Sequence, residues 1–112
     1  MITGIEWAII GGFVTGVLSA TFWDKIKAWA SKMWNLIIDA INWTIEVASR
    51  ALTYLIKKGS SFYKEVRVYV MNKQGQIRIE TRRQETSRLE VPNDILRELD
   101  RKQELLVMQS KG

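Results

Sequence analysis

The chain has 112 residues, room for one small water-facing domain and not two. With Cys 0 and His 0 it lacks disulfide staples, thiolate chemistry, the commonest general base and the commonest zinc ligand, which argues against catalysis and against any metal or cofactor. The net charge of +5 comes from basic residues interleaved with acidic ones, so nucleic acid is not an expected partner.

Residues 1–23 carry Glu6 near their start and no formal charge from Trp7 to Trp23. About 20 apolar residues cross a bilayer, and Trp7 and Trp23 lie near the two ends, as interfacial anchors do. The segment predicts a transmembrane helix. A signal peptide would begin basic and end on a small-residue cleavage site, whereas this start is acidic and Leu18-Ser19-Ala20 is a weak site. A buried helix of an oligomer or capsid is the other alternative. Gly4, Ala8, Gly12, Gly16 and Ala20 would line one side of such a helix. Small side chains let two backbones approach, so this ridge predicts packing against a copy of itself or the next helix. Lys25, Lys27 and Lys32 follow at once and place the C-terminal side in the cytoplasm, with the N-terminus outside.

Residues 24–58 contain neither Pro nor Gly. Their polar positions, including Asn35, Asp39, Asn42, Glu46, Arg50, Thr53 and Lys57, recur at helical spacing in a narrow stripe. The segment predicts a long amphipathic helix, capped by Asp24 and stopped at Gly59. Its length of about 50 Å exceeds one crossing. Three placements fit: lying in the membrane interface, crossing with Asn35, Asp39, Asn42, Glu46 and Arg50 toward a wet lumen, or packing within an assembly.

After a Gly59-Ser60-Ser61 hinge, residues 62–112 predict a small α+β domain. Val66, Val68 and Val70 alternate with Arg67, Tyr69 and Met71, and a second alternating run follows Asn72-Lys73-Gln74-Gly75, which makes a β-hairpin. A four-residue loop would set Val70 against Ile77, Val68 against Ile79, Arg67 against Glu80 and Glu65 against Arg82. A short third strand through Leu89 and Val91 would end at Pro92. A helix capped by Asn93 would then run to about Met108, with Ile95, Leu96, Leu99, Leu105 and Leu106 as its apolar stripe. A domain this small buries too little surface to stand alone without staples, so it should close against copies of itself or a partner. Arg78, Arg82, Arg83 and Arg88 suit an anionic ligand or a subunit contact, or else form a solvated face balanced by Glu80, Glu85, Glu90 and Glu98.

The expected fold class is therefore α+β: an N-terminal transmembrane helix, a long amphipathic helix and a small C-terminal β-hairpin/α domain. The leading functional expectation is a non-enzymatic, homo-oligomeric membrane protein in contact with the lipid bilayer, an effector, pore or channel regulated by its cytoplasmic domain. The alternatives are a non-conducting structural anchor in a larger assembly, such as a virion or secretion machine, or an accessory subunit that tethers a partner protein to the membrane.

Overall fold

The computed structural model describes residues 5–10, 16–42 and 44–111, with the side chains of residues 16–19 left aside. Along the chain run β1 (Trp7–Ile9), α1 (Gly16–Ala40), β2 (Glu46–Lys58), β3 (Ser61–Asn72), β4 (Ile77–Thr86), α2 (Asn93–Lys102) and β5 (Glu104–Ser110), with a 3-10 turn at Arg88–Glu90. The strands form one five-stranded antiparallel sheet in the order β1-β5-β2-β3-β4.

Helix α1 is amphipathic in the ordinary proportion. Phe22, Trp23, Ile26, Ala30, Trp34, Ile37 and Ile38 are buried at helical spacing, while Asp24, Lys25, Lys32, Asn35 and Asp39 are exposed. That stripe packs on Val66, Val68 and Val70 of β3 and on Ala51 and Leu55 of β2. Ile95 and Leu99 of α2 join the same core beside Phe62, Leu105 and Val107. Both helices therefore cover one face of the sheet, and among the described residues no helix lies on the opposite face.

Asn42 ends the helical region and starts the sheet. Its side-chain oxygen accepts from the Thr44 amide at 3.2 Å and the Thr44 hydroxyl at 2.7 Å, and its carbonyl accepts from the amides of Ile45 and Glu46. Such a side-chain turn competes directly with continuation of the helix. Strand β2 then runs through the middle of the sheet, paired to β3 on one side and β5 on the other. It carries two bulges in its ladders, one at Ser49 and one opposite it at Val107 of β5.

These findings overturn the transmembrane reading. No helix among the described residues is long and apolar enough to cross a membrane. The expected helix over 1–23 is interrupted by β1, whose Trp7, Ala8 and Ile9 pair with Ser110, Gln109 and Met108. The transmembrane topology with its outside N-terminus falls with that helix. Ala8 lies in a strand while Gly16 and Ala20 lie in α1, and Gly4 and Gly12 fall outside the described residues, so the five do not make one ridge on a helix. The long helix over 24–58 is in fact α1, a turn and β2. Its lumen-facing stripe is broken up: Asn35 and Asp39 stand exposed on α1, Asn42 makes the turn, and Glu46 and Arg50 belong to β2.

The hairpin is present but its register differs by one. Met71 pairs with Ile77, Val70 with Arg78, Tyr69 with Ile79 and Arg67 with Thr81. The loop is Lys73-Gln74-Gly75: the Asn72 amide donates to the Gln76 carbonyl at 3.0 Å, and Gly75 has φ of +82°. Three-residue hairpin loops end on a residue in this left-handed region, which glycine enters without strain. Asn72 fixes the loop further by accepting from the Gln74 and Gln76 amides. The third strand is not formed. Leu89 sits in the 3-10 turn and is 96% exposed. Helix α2 begins after Pro92 as N-cap and stops at Gln103, whose φ of 64° turns the chain into β5, so Leu105, Val107 and Met108 reach the core from a strand.

Thr53 lies at the centre of β2 with 0% exposure, and its hydroxyl has no hydrogen-bond partner. A buried hydroxyl without a partner costs roughly 1–3 kcal/mol. Thr53→Val, which keeps the shape, should raise the unfolding free energy by about 1 kcal/mol in chemical denaturation. An unchanged or lower value would show that the hydroxyl is satisfied in solution.

Candidate functional site: the open sheet face

Alternation along each strand, with the pairing registers, sets out the uncovered face in rows. The first row is Val47, Met71 and Ile77, and the next is Arg50, Tyr69 and Ile79. Then come Gln109, Leu52, Arg67 and Thr81, followed by Leu106, Tyr54, Glu65 and Arg83, and last Glu104, Ile56, Tyr63 and Glu85. Leu52 and Ile56 are buried yet stand outside the helix-side core, because each lies in the central strand between longer neighbours.

All three tyrosines of the chain stand on this face, and each carries an arginine over its ring. The guanidinium carbon of Arg67 lies 3.9 Å from the Tyr54 ring centre, that of Arg50 5.2 Å from Tyr69 and that of Arg83 5.5 Å from Tyr63. Contacts of this kind contribute about 0.5–1 kcal/mol each where water is near. Glu65 joins two of the three. It is 3% exposed and accepts from Arg67 Nε at 2.6 Å and from Arg83 Nε at 2.8 Å. Arg67 also donates to Glu104 at 2.5 Å. Burial works against the charged form of Arg67, but its bonds to Glu65 and Glu104 outweigh this and its pKa is pushed up.

The face is thus divided. One end is a self-neutralised lattice of Arg, Tyr and Glu. The other end, near the hairpin loop, is apolar and about half exposed: Val47 48%, Ile77 58% and Ile79 51%. Beside it runs β4, an edge strand whose outer side is free among the described residues.

The sequence-predicted arginines do not converge. Arg78 and Arg82 stand on the helix side of β4, where both pair with Glu80 and Arg78 also pairs with Glu46. Arg83 belongs to the open face, and Arg88 lies in the 3-10 turn. Arg50, expected in a polar stripe with Asn35 and Asp39, instead stacks on Tyr69. Sequence reasoning passed over Tyr54 and Tyr63, and set Tyr69 on the wet face of the hairpin without giving it a role. The signal for the last two was present, since both alternate with Glu65 and Arg67 on the outward side of a strand. Tyr54 was concealed by the helical reading of its segment.

Two shallow grooves lie elsewhere. One, about 430 Å³, is bordered by Glu6, Trp7, Lys27, Ser31 and Lys111; the other, about 410 Å³, by Lys57, Phe62, Arg88, Leu96 and Asp100. In the first, the Ser31 hydroxyl accepts from Trp7 Nε1 at 3.1 Å. In the second, a hydrogen bond and charge attraction from Lys57 hold the exposed Asp100 carboxyl below its ordinary value of 3.8. Among the described residues no cluster of carboxylates could hold a metal ion.

Fold and face together define a two-layer α+β module, one antiparallel sheet with both helices on a single side. Comparison of the chain with known protein families, with curated proteins and with solved structures finds no match.

Two expectations follow from these geometries. Glu65→Gln leaves two guanidinium groups facing a neutral amide; because both arginines are partly solvated, the loss of stability should be about 2 kcal/mol, below the full cost of a broken buried pair. A loss under ~0.5 kcal/mol, typical of surface pairs, would show that Glu65 does not tie the lattice together. Separately, Asp100 has a folded pKa below its unfolded one, so its contribution is present above 3.8 and is lost as pH falls through the folded value. Lys57→Met should move the Asp100 titration, followed by carboxyl NMR, back up toward 3.8; an unmoved titration would mean the bridge is not made in solution.

Proposed function

We propose that the chain is a non-catalytic assembly module, a structural part that binds further copies of itself through the uncovered layer of its sheet. The observation that carries this reading is the apolar end of the open face. Val47, Met71 and Ile77 lie side by side across three strands, next to Tyr69 and Ile79, and Val47, Ile77 and Ile79 are each about half exposed. A folded chain of this size gains by covering such a row, and apolar patches of this kind mark protein contacts.

Two further features support binding over chemistry. Glu65, Arg67, Arg83 and Glu104 of the face are bonded to one another. The tyrosine rings carry arginines already, so they offer no bare stacking surface to a nucleic-acid base.

Light scattering after size-exclusion chromatography, across a wide concentration range, tests the proposal. The mass should rise from 13.0 kDa toward a whole multiple of it. Val47→Lys with Ile77→Lys should weaken association by about tenfold, the scale of losing two exposed apolar contacts of ~0.7 kcal/mol each. A chain that stays at one-copy mass at all concentrations would overturn it.

A further inference from the structure

We propose that the second copy joins at β4, edge to edge and antiparallel, with Thr81 opposite Thr81 of the partner copy, so that two sheets become one. This rests on the self-assembly reading above and adds a second contact to it: the β4 edge is a surface separate from the open face, and pairing there leaves Val47, Met71 and Ile77 uncovered for the face contact.

Strand β4 is unusual as an edge. It spans Ile77–Thr86, contains no proline, and its ladder with β3 is unbroken by any bulge, unlike both ladders of β2. Natural edges are ordinarily kept short, bulged or proline-bearing to prevent sheet-to-sheet pairing. The one protective device β4 does carry is charge, and here the charges alternate in sign: Arg78, Glu80 and Arg82 on the helix side. Alternating charges do not repel every approach. They select among approaches.

A two-fold axis perpendicular to the sheet keeps the helices of both copies on one side, and it allows only registers that pair residues of the same face. The four such registers with the longest overlap differ in charge. With Glu80 on the axis, Glu80 meets Glu80 and Arg78 meets Arg82 twice. With Arg82 on the axis, Arg82 meets Arg82. With Arg83 there, Arg83 meets its copy on the open face. With Thr81 on the axis, Glu80 meets Arg82 twice, Arg78 meets Gln84, Ile79 meets Arg83, Ile77 meets Glu85, and no like charges are opposed. Ile79 or Gln84 on the axis also avoids repulsion, but these shorten the ladder to Ile77–Thr81 or Arg82–Thr86, whereas the Thr81 register pairs Ile77 through Glu85 of each copy. Directly opposed unlike charges and Thr–Thr pairs both stabilise antiparallel ladders, and opposed like charges destabilise them.

The open face is carried across the same axis. Its rows continue across the axis, with Tyr69 and Ile79 of one copy leading to the Arg83 and Glu65 of the other, so the apolar end of each copy abuts the arginine lattice of its neighbour.

The chain has Cys 0, so single cysteines report pairing without background. Residues directly opposite across an antiparallel pair have Cβ atoms about 5 Å apart, within reach of a disulfide after small adjustment. Full-length Thr81→Cys, Ile79→Cys, Arg83→Cys and, in the hairpin loop, Lys73→Cys would be oxidised mildly and run on a non-reducing gel. Thr81→Cys should cross-link at least tenfold faster than the other three. Faster cross-linking at residue 79 or 83 would overturn the register. A dimer by light scattering with no cross-link at any β4 position would overturn the edge contact while leaving self-assembly standing, and a monomer by mass would remove both. As a second arm, Glu80→Arg and Arg82→Glu should each weaken the dimer by about tenfold, since each converts two attractive pairs into repulsive ones. Combining them should restore most of the loss; a combined variant weaker than either single one would overturn the Glu80–Arg82 contact.

Discussion

Burial of β2 on both faces is the constraint from which the rest of the structure follows. Ala51, Thr53 and Leu55 point into the helix-covered core, while Leu52 and Ile56 are buried on the other side by neighbours on β3 and β5. A strand sealed on two sides must lie in the middle of a sheet. That requirement forces α1 to stop at Ala40, places β3 and β5 as its flanks, and leaves β4 and β1 at the edges. The Thr53 hydroxyl, without a hydrogen-bond partner among the described residues, lies in this strand with β3 on one side, β5 on the other and core beneath.

With one face given to the helices, the opposite face had to be made compatible with water by other means. The means is a lattice in which arginine stems and rings cover Leu52 and Ile56 while the guanidinium groups are neutralised by Glu65 and Glu104. The lattice does not reach the hairpin end, where Arg50 is the last cation and the row beyond it holds only Val47, Met71 and Ile77. The division of the face therefore comes from where the acids stand: Glu65 lies at mid-strand in β3, and no carboxylate occupies the open-face positions beyond it toward the loop.

How far the sequence disclosed this fold depended on how many faces each element buries. β3 and β4 were legible as a hairpin because β3 has one buried and one wet face, and its valines alternate with charged and aromatic residues. The register was missed by one because Val66, Val68 and Val70 were matched to Ile77 and Ile79 as a shared apolar face. In the molecule those isoleucines lie on the opposite side, and the positive-φ Gly75 shortens the loop to three residues. β2 was illegible in principle from periodicity alone. A strand buried on both sides shows a near-continuous apolar run, and its few polar residues, Glu46, Arg50, Thr53 and Lys57, fall by coincidence at helical spacing. The break before it carries neither Gly nor Pro; Asn42 makes it, a weaker mark. The same confusion lengthened α2 into β5, because Gln103 adopts the left-handed conformation usually left to Gly or Asn.

The candidate site was less legible than the fold because it is made of relations between strands, not of a motif. Arg78, Arg82 and Arg83 look like one cluster in the sequence, yet strand alternation sends the first two to the helix side and the third to the open face. What survives from the sequence is the sign pattern along β4, and its meaning changes once the strand is known to be an edge. On a solvated helix or a central strand, Arg-x-Glu-x-Arg is a local ion-pair ladder that contributes little. On a free edge the same spacing becomes a code for the strand that can lie beside it. Two-fold symmetry reads that code against itself, so of the four longest registers it leaves only the one with Thr81 on the axis free of opposed like charges. An edge that discriminates among registers in this way is suited to closed pairing of two copies and resists the open-ended stacking that an uncharged edge of the same length would invite.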